Sequence, residues 1–292
     1  MHDDAGRRDE LRLPIGPEAF DAVAWGPEDG EPVLLLHGFP ETSWAWRYVQ
    51  PPLAAAGYRS VAPDQRGYSP GARPADPARY AIDALVDDAL GMADALGWDR
   101  FHLVGHDWGG TVAWHLAARA PGRVQSLAVA STPHPRAWPL PVPRGHRRRG
   151  RPGLARCLHG RVPHPGSEVG LAADGAAQLR DGLVGTGLDP ASAEPYAARA
   201  ATPQARLGLR NWSRGAELDD ADACGEVTVP TLYVWSDADV ALGPTAAHGT
   251  AAHVVGPYRF EVLEGVSHWI PEEAATELVS LLLEHLGDAE AV

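Results

Sequence analysis

Short apolar runs alternate along the chain with segments whose apolar residues recur every three or four positions. The run at residues 33–36 is continuous, which is typical of a parallel strand covered on both faces. From residue 82 to 96 the apolar positions follow the helical period, and Gly97 ends that segment. Repeated strand and helix patterns of this kind predict an α/β fold with a doubly wound, mostly parallel sheet.

Other strands are indicated by alternating or continuous apolar residues. Residues 11–15 and 19–25 alternate well enough to predict an antiparallel pair at the start of the chain. Further strands are predicted at residues 58–64, 101–104, 124–130, 229–235 and 258–263. Trp46 and Trp114 fall at helical positions, where aromatic side chains usually belong to the core.

The regular alternation stops after residue 130. Residues 133–166 contain eight prolines, eight arginines, five glycines and four histidines, with no helical period. Helical patterning returns weakly over 172–183 and 191–209. The resulting division is a core of residues 1–132 and 226–292, an inserted lid of residues 133–225, and an irregular Arg/Pro-rich part of the lid at 136–166.

A Gly-rich turn joins the strand at 101–104 to the helical pattern that begins at residue 112. Glycines at 105 and 109 keep Cβ atoms out of a tight turn, as in the G-x-S-x-G elbow, and such a turn would hold the side chain of Asp107 away from the backbone. A carboxylate is ionised near neutral pH and can attack an sp3 carbon that bears a leaving group. We therefore interpret Asp107 as a nucleophile that forms an ester, which water then cleaves.

An acid and a base follow the ends of two later strands. His268 comes after the last strand, and Asp239 follows the strand before it. The order nucleophile, acid, base is the order of the G-x-S-x-G hydrolases. We interpret His268 as the base that deprotonates water and Asp239 as the residue that fixes its tautomer, although Asp237 could take that place.

Four motifs together carry a resemblance to a known family. They are LLLHGFPETSWAWR at 34–47, APDQRGYSPG at 62–71, LVGHDWGG at 103–110 and EGVSHWIPEE at 264–273. With them the chain is similar to the epoxide hydrolase branch of the α/β-hydrolase fold, which is closely related to the haloalkane dehalogenases. The resemblance covers nearly everything outside residues 133–228 and implies an α/β-hydrolase fold with an inserted lid.

The resemblance also implies roles for residues near the nucleophile. The backbone N–H groups of Phe39 and Trp108 would form an oxyanion hole, and Pro40 would follow a cis peptide bond. His37, Pro40 and Trp212 would contact the substrate. The partners expected are a small organic substrate and water, with no metal and no cofactor.

The lid departs from the family pattern. Epoxide hydrolases protonate the leaving oxygen with two lid tyrosines, one of which follows an Asn-Trp pair. Here Asn211 and Trp212 are followed by Ser213, and no tyrosine lies between residues 81 and 195. Tyr196, the only tyrosine in the lid, stands where the family has no catalytic residue. The lid is therefore either altered or damaged, for example by a frame shift in a GC-rich gene.

Three functions fit these residues. The first is an epoxide hydrolase with an atypical lid. The second is a haloalkane-type dehalogenase, because a halide needs no proton and the indole of Trp108 could bind it; against this, Phe39 replaces the Asn that many dehalogenases carry. The third is a catalytically impaired, ligand-binding protein of the same fold, which the filled catalytic positions disfavour.

Charge and composition indicate which partners and which cellular location to expect. The formal net charge of −13 argues against a nucleic-acid partner, whose phosphates would repel the protein. No apolar run has membrane-spanning length, and the polar start has no apolar signal segment. Two cysteines are too few for a disulfide framework. These features predict a cytoplasmic protein with no membrane partner.

Overall fold

Eight strands form one sheet in the computed structural model, which describes residues 6–137, 175–216 and 223–290. The strands are β1 (Arg8–Ile15), β2 (Glu18–Trp25), β3 (Glu31–Leu36), β4 (Tyr58–Pro63), β5 (Phe101–His106), β6 (Val124–Ala130), β7 (Thr231–Ser236) and β8 (Tyr258–Leu263). Their order is β1-β2-β4-β3-β5-β6-β7-β8. Strands β1, β2 and β4 pair in antiparallel fashion, and all remaining pairs are parallel. The predicted doubly wound, mostly parallel sheet is therefore confirmed.

Helices connect the strands on both faces of the sheet. The α-helices of the described residues are α1 (Gln50–Ala55), α2 (Ile82–Ala95), α3 (Trp108–Arg119), α4 (Gly175–Gly185), α5 (Pro190–Arg199), α6 (Pro203–Ala216), α7 (Pro244–Gly249), α8 (Ile270–Glu273) and α9 (Ala275–Glu290). Short 3-10 helices lie at Ser43–Trp46, Pro77–Tyr80, Pro135–Ala137 and Thr250–His253. Among these described helices, none has the length and apolar character needed to span a membrane.

Strand β1 begins three residues before the predicted start at residue 11. Its additional residues are charged, so apolar alternation did not reveal them. Arg8 pairs with Glu10 at 3.1 Å, and Arg12 pairs with Asp21 of β2 at 3.1 Å. Charged side chains suit an exposed edge strand because they discourage pairing with other chains.

The helical pattern predicted over 191–209 is divided between two helices. Helix α5 ends at Arg199, and α6 begins with Pro203, which fits the first turn of a helix but not its interior. The Thr202 hydroxyl caps the new helix by accepting a hydrogen bond from the Ala205 N–H at 3.2 Å. The irregular stretch predicted at 136–166 lies largely outside the described residues.

The core is built on both faces of the sheet. Val33, Leu34, Leu35 and Leu36 of β3 are at most 1% exposed, as expected of a central parallel strand. Trp46 and Trp114, which were predicted to belong to the core, have no exposed surface. The carboxyl ends of β3 to β8 share one edge of this sheet, which is where ligands bind in open α/β folds.

Four histidines are buried in this fold, and for each of them the effect of burial on the pKa outweighs any attraction from neighbouring carboxylates. Burial lowers the pKa of His102, His115 and His285 to about 4, and that of His134 to about 3. In an unfolded chain a histidine has a pKa of about 6.5, so the unfolded state binds more protons below that pH. The free energy of unfolding should therefore fall as the pH drops from about 6.5 towards 4, by up to about 1.4 kcal/mol per pH unit for each histidine.

We expect the His115→Leu substitution to make the protein less sensitive to acid. The Nε2 atom of His115 has no hydrogen-bond partner among the described residues, so leucine would break no hydrogen bond of that atom. Urea unfolding at about pH 7 and pH 5 should show that the parent protein loses about 2 kcal/mol more than the variant over this range. Equal losses in the two proteins would contradict the assignment of a lowered pKa to this histidine.

Candidate active site

The turn between β5 and α3 holds Asp107 in an unusual backbone conformation. Its φ of 49° and ψ of −119° lie in a region that residues with a Cβ atom rarely adopt. A Cβ atom at Gly105 would lie 2.5 Å from the Gly109 carbonyl oxygen, and one at Gly109 would lie 2.1 Å from the Leu36 carbonyl oxygen. Both glycines are thus required by the tight turn. The turn holds the Asp107 carboxylate in place, and the backbone conformation of Asp107 costs about 1–3 kcal/mol.

The loop after β3 closes over the same carboxylate. Gly38 allows the approach, since a Cβ atom there would lie 2.4 Å from the Cβ of Asp107. The peptide bond between Phe39 and Pro40 is cis, and the Phe39 N–H donates to Asp107 Oδ1 at 2.8 Å. Trp108, the other residue expected to contribute an oxyanion-hole N–H, is the first residue of α3. Phe39, Pro40, Asp107 and Trp108 are therefore neighbours at the carboxyl edge of the sheet.

The loops after β7 and β8 bring an acid and a histidine to the nucleophile position. His268 Nε2 lies 3.4 Å from Asp107 Oδ2, and His268 Nδ1 lies 2.8 Å from Asp239 Oδ2. The second oxygen of Asp239 accepts the N–H groups of Ala241 and Leu242 at 2.7 and 2.9 Å. Those two bonds hold the carboxylate in place, so the imidazole is fixed between two acidic side chains.

Asp237, the alternative acid, points elsewhere. It is exposed, and its Oδ1 accepts the N–H of Gly265 at 2.7 Å. The contact closes the turn after β8 rather than reaching the imidazole. Of the two candidate acids, only Asp239 faces His268.

The charges around His268 favour its protonated form. Burial by itself lowers the pKa of this histidine, but the charge of Asp239 and the contacts with Asp107 raise it well above the usual value. Both carboxylates are themselves buried, with 4% of the Asp107 side chain and none of the Asp239 side chain exposed. An imidazolium between two carboxylates is thus the favoured state when Asp107 carries its charge.

Sequence reasoning missed a buried pair beneath this site. Glu41 Oε2 accepts the Gly38 N–H at 2.6 Å and contacts His106 Nδ1 at 2.9 Å. The other ring nitrogen of His106 lies 2.9 Å from the backbone oxygen of His268. Glu41 and His106 have no exposed surface, and together they tie the loop after β3 to the loop that carries His268. A glutamate directly after an apolar strand and its HGFP turn was the available signal.

Two residues expected to contact substrate use their ring nitrogens in hydrogen bonds within the protein. His37 is fully buried; its Nδ1 lies 2.8 Å from the Gly38 oxygen, and its Nε2 accepts the Gln65 N–H at 3.1 Å. Trp212 donates its indole N–H to the Arg66 oxygen at 2.6 Å and packs edge-on against Trp108, with ring centres 5.8 Å apart. Neither residue retains a polar group for a substrate, so each can offer only the face or edge of its ring.

Tyr196 in the described part of the lid packs on α8, the short helix that follows His268. Tyr196 of α5 is fully buried and donates its hydroxyl to Glu272 Oε1 at 2.5 Å. Burial raises the pKa of Glu272 well above its usual value, and the charge of Glu41 raises it further. The Tyr196 hydroxyl is therefore engaged in this packing contact.

This chain is similar to several known proteins. The family model for the alpha/beta hydrolase fold matches residues 31–275. Epoxide hydrolase A of Mycobacterium tuberculosis is 32% identical over 299 residues, covering 90% of this chain and 92% of the relative. The AB hydrolase superfamily protein YfhM of Bacillus subtilis is 33% identical over 274 residues, covering 90% and 93%. The crystal structure of epoxide hydrolase A from Mycobacterium thermoresistibile has a TM-score of 0.76 at 28% identity and covers 96% of this chain and 98% of its own.

Proposed function

Because this chain belongs to the α/β-hydrolase family, on its epoxide hydrolase branch, we propose that it hydrolyses a small epoxide through an ester of Asp107. One observation carries the proposal: an aspartate at the elbow faces a histidine that a second aspartate holds. A serine in that position would attack a carbonyl carbon. A carboxylate is instead suited to open a strained C–O bond at an sp3 carbon.

The first step is attack by Asp107. One of its oxygens forms a bond to an epoxide carbon, the C–O bond of the ring breaks, and the electron pair stays on the departing oxygen. The Phe39 N–H, 2.8 Å from Oδ1, orients the carboxylate for this attack. The strained backbone of Asp107 keeps the carboxylate at the head of the turn, so little reorganisation is needed.

The second step is hydrolysis of the ester, for which His268 must accept a proton from water. The negative charge of Asp107 helps to raise the pKa of His268, and this charge disappears when the carboxylate becomes an ester. Ester formation should therefore lower the pKa of the histidine and favour the neutral ring that a general base requires. Asp239 keeps the Nδ1 proton in place, so Nε2 is the atom that takes the proton from water.

Hydrolysis passes through a tetrahedral intermediate with a negatively charged oxygen. The N–H of Phe39 already donates to a carboxylate oxygen of Asp107. Trp108 is the first residue of the helix that follows, so its N–H lies at the amino end of that helix. We assign the oxyanion hole to these two groups. The position of Trp108 at the amino end of α3 adds the favourable field of the helix dipole.

Turnover of styrene oxide and of 1-bromobutane by the same preparation tests this proposal. We expect the protein to convert styrene oxide to the diol with steady turnover and to release bromide much more slowly. Faster release of bromide than formation of diol would favour a dehalogenase. Absence of both products would favour the impaired, ligand-binding alternative.

A further inference from the structure

Opening an epoxide leaves a charged oxygen that needs a proton, and the position after Asn211 and Trp212 is occupied by Ser213. The chain has seven tyrosines, all within the described residues. Three of them donate their hydroxyls within the fold: Tyr80 to the Pro74 oxygen at 3.0 Å, Tyr196 to Glu272 at 2.5 Å, and Tyr233 to the Ser131 oxygen at 2.9 Å. These three phenols are therefore already engaged.

Three more tyrosines lie in the wrong place for this role. Tyr58 and Tyr258 are the first residues of β4 and β8, so they stand at the edge of the sheet opposite the carboxyl ends that carry Asp107. Tyr48 is 54% exposed, and the guanidinium of Arg47 lies over its ring at 4.3 Å. Only Tyr68 remains.

Tyr68 is buried, but its hydroxyl has no hydrogen-bond partner among the described residues. The residue is 5% exposed and lies in the loop that follows the carboxyl end of β4. Burying a hydroxyl without a partner costs about 1–3 kcal/mol, and the fold gains no bond from this one. An unsatisfied polar atom at the catalytic edge of the sheet is the kind of exception that a catalytic role explains.

The ring of Tyr68 belongs to the group of side chains around the nucleophile. Its centre lies 4.5 Å from that of His37, which precedes the loop over Asp107, and 6.0 Å from that of Trp212. Trp212 in turn contacts Trp108, the residue after Asp107. Burial raises the pKa of Tyr68 well above its usual value, and the charge of Asp107 raises it further, so the phenol keeps its proton at all working pH values.

We propose that the Tyr68 hydroxyl is the group that protonates the departing epoxide oxygen, an inference that rests on the proposed function. As Asp107 forms its bond to carbon, the ring C–O bond breaks and the Tyr68 proton passes to that oxygen, which leaves a tyrosinate. Water then attacks the carbonyl carbon of the ester and gives one proton to His268. The C–O bond to the substrate breaks, and that proton passes from His268 to the departing alkoxide. The second proton of the water, left on the new Asp107 carboxyl group, returns to the tyrosinate. The balance is one epoxide and one water consumed for one diol.

Alkylation should be measured in a His268→Gln background, where the ester accumulates and the first step is seen alone. Adding Tyr68→Phe should slow alkylation by styrene oxide by about 100-fold or more, the usual contribution of a general acid. Tyr258→Phe is the matched control, because its hydroxyl also lacks a partner among the described residues but lies at the opposite edge of the sheet. That variant should alkylate at the parent rate.

The pH profile separates proton donation from a packing effect. With Tyr68 present, the alkylation rate should be nearly flat from about pH 6 to 9, since the donor is internal. Without it, hydronium must supply the proton, and the rate should rise about tenfold for each pH unit of acidification. A Tyr68→Phe variant that alkylates at the parent rate, or that is slow with a flat profile, overturns the proposal for Tyr68. If the protein with His268→Gln alone forms no ester with styrene oxide, the proposed function itself is overturned.

Discussion

We expect the Asp239→Asn substitution to lower kcat for epoxide hydrolysis by about four orders of magnitude, as the corresponding change does in serine proteases. Asp239 Oδ2 lies 2.8 Å from His268 Nδ1 and keeps a proton on that nitrogen. An asparagine can instead present its amide N–H there, which moves the imidazole proton to Nε2 and removes the base. Loss of the carboxylate charge also makes the imidazolium less stable. Steady-state kinetics with styrene oxide measures the effect.

Asp237→Asn is the matched control for this variant. It changes the same atoms two residues away, where the carboxylate accepts the Gly265 N–H at 2.7 Å. An amide oxygen can accept the same bond, so kcat should change by less than about threefold. If Asp237→Asn is the damaging change and Asp239→Asn is harmless, the choice of acid is wrong, although the fold assignment is unaffected.

The elbow shows what a sequence can predict about this protein. Glycines at 105 and 109 are necessary because Cβ atoms at either position would collide with backbone oxygens at 2.5 and 2.1 Å. Because only glycine fits at these two positions, the turn can be recognised in the sequence. The glycines therefore predicted that Asp107 lies at the junction of β5 and α3, where the structure has it. The strands were predictable for a similar reason, because buried parallel strands need continuous apolar residues.

The choice between Asp237 and Asp239 could not be made with the same security. Both follow β7, and only the path of the chain decides that one carboxylate turns inward to His268 and the other outward to Gly265. The link from Glu41 through His106 to the His268 backbone depends on residues far apart in sequence. Long-range polar contacts of this kind have no local pattern from which to predict them.

Position in the sequence does not reveal which polar atoms of His37 and Trp212 are already hydrogen-bonded. Both lie close to the site. The ring nitrogens of His37 contact backbone atoms of Gly38 and Gln65, and the indole N–H of Trp212 donates to the backbone oxygen of Arg66. The reverse holds for Tyr68, which the sequence did not single out and whose hydroxyl is left without a partner among the described residues. Which polar atoms remain available is decided by packing, and only the folded chain shows it.

The His268→Gln variant gives the second large effect, and it tests the ester on Asp107 most directly. Glutamine removes the base that activates water but leaves the attacking carboxylate, so turnover should fall by about six orders of magnitude while the first step proceeds. After incubation with styrene oxide, mass spectrometry of the 101–119 tryptic peptide should show the added mass of one substrate molecule on Asp107. A circular dichroism spectrum that matches the parent would exclude unfolding as the cause. An adduct on another residue, or no adduct with any epoxide or haloalkane, would contradict the mechanism.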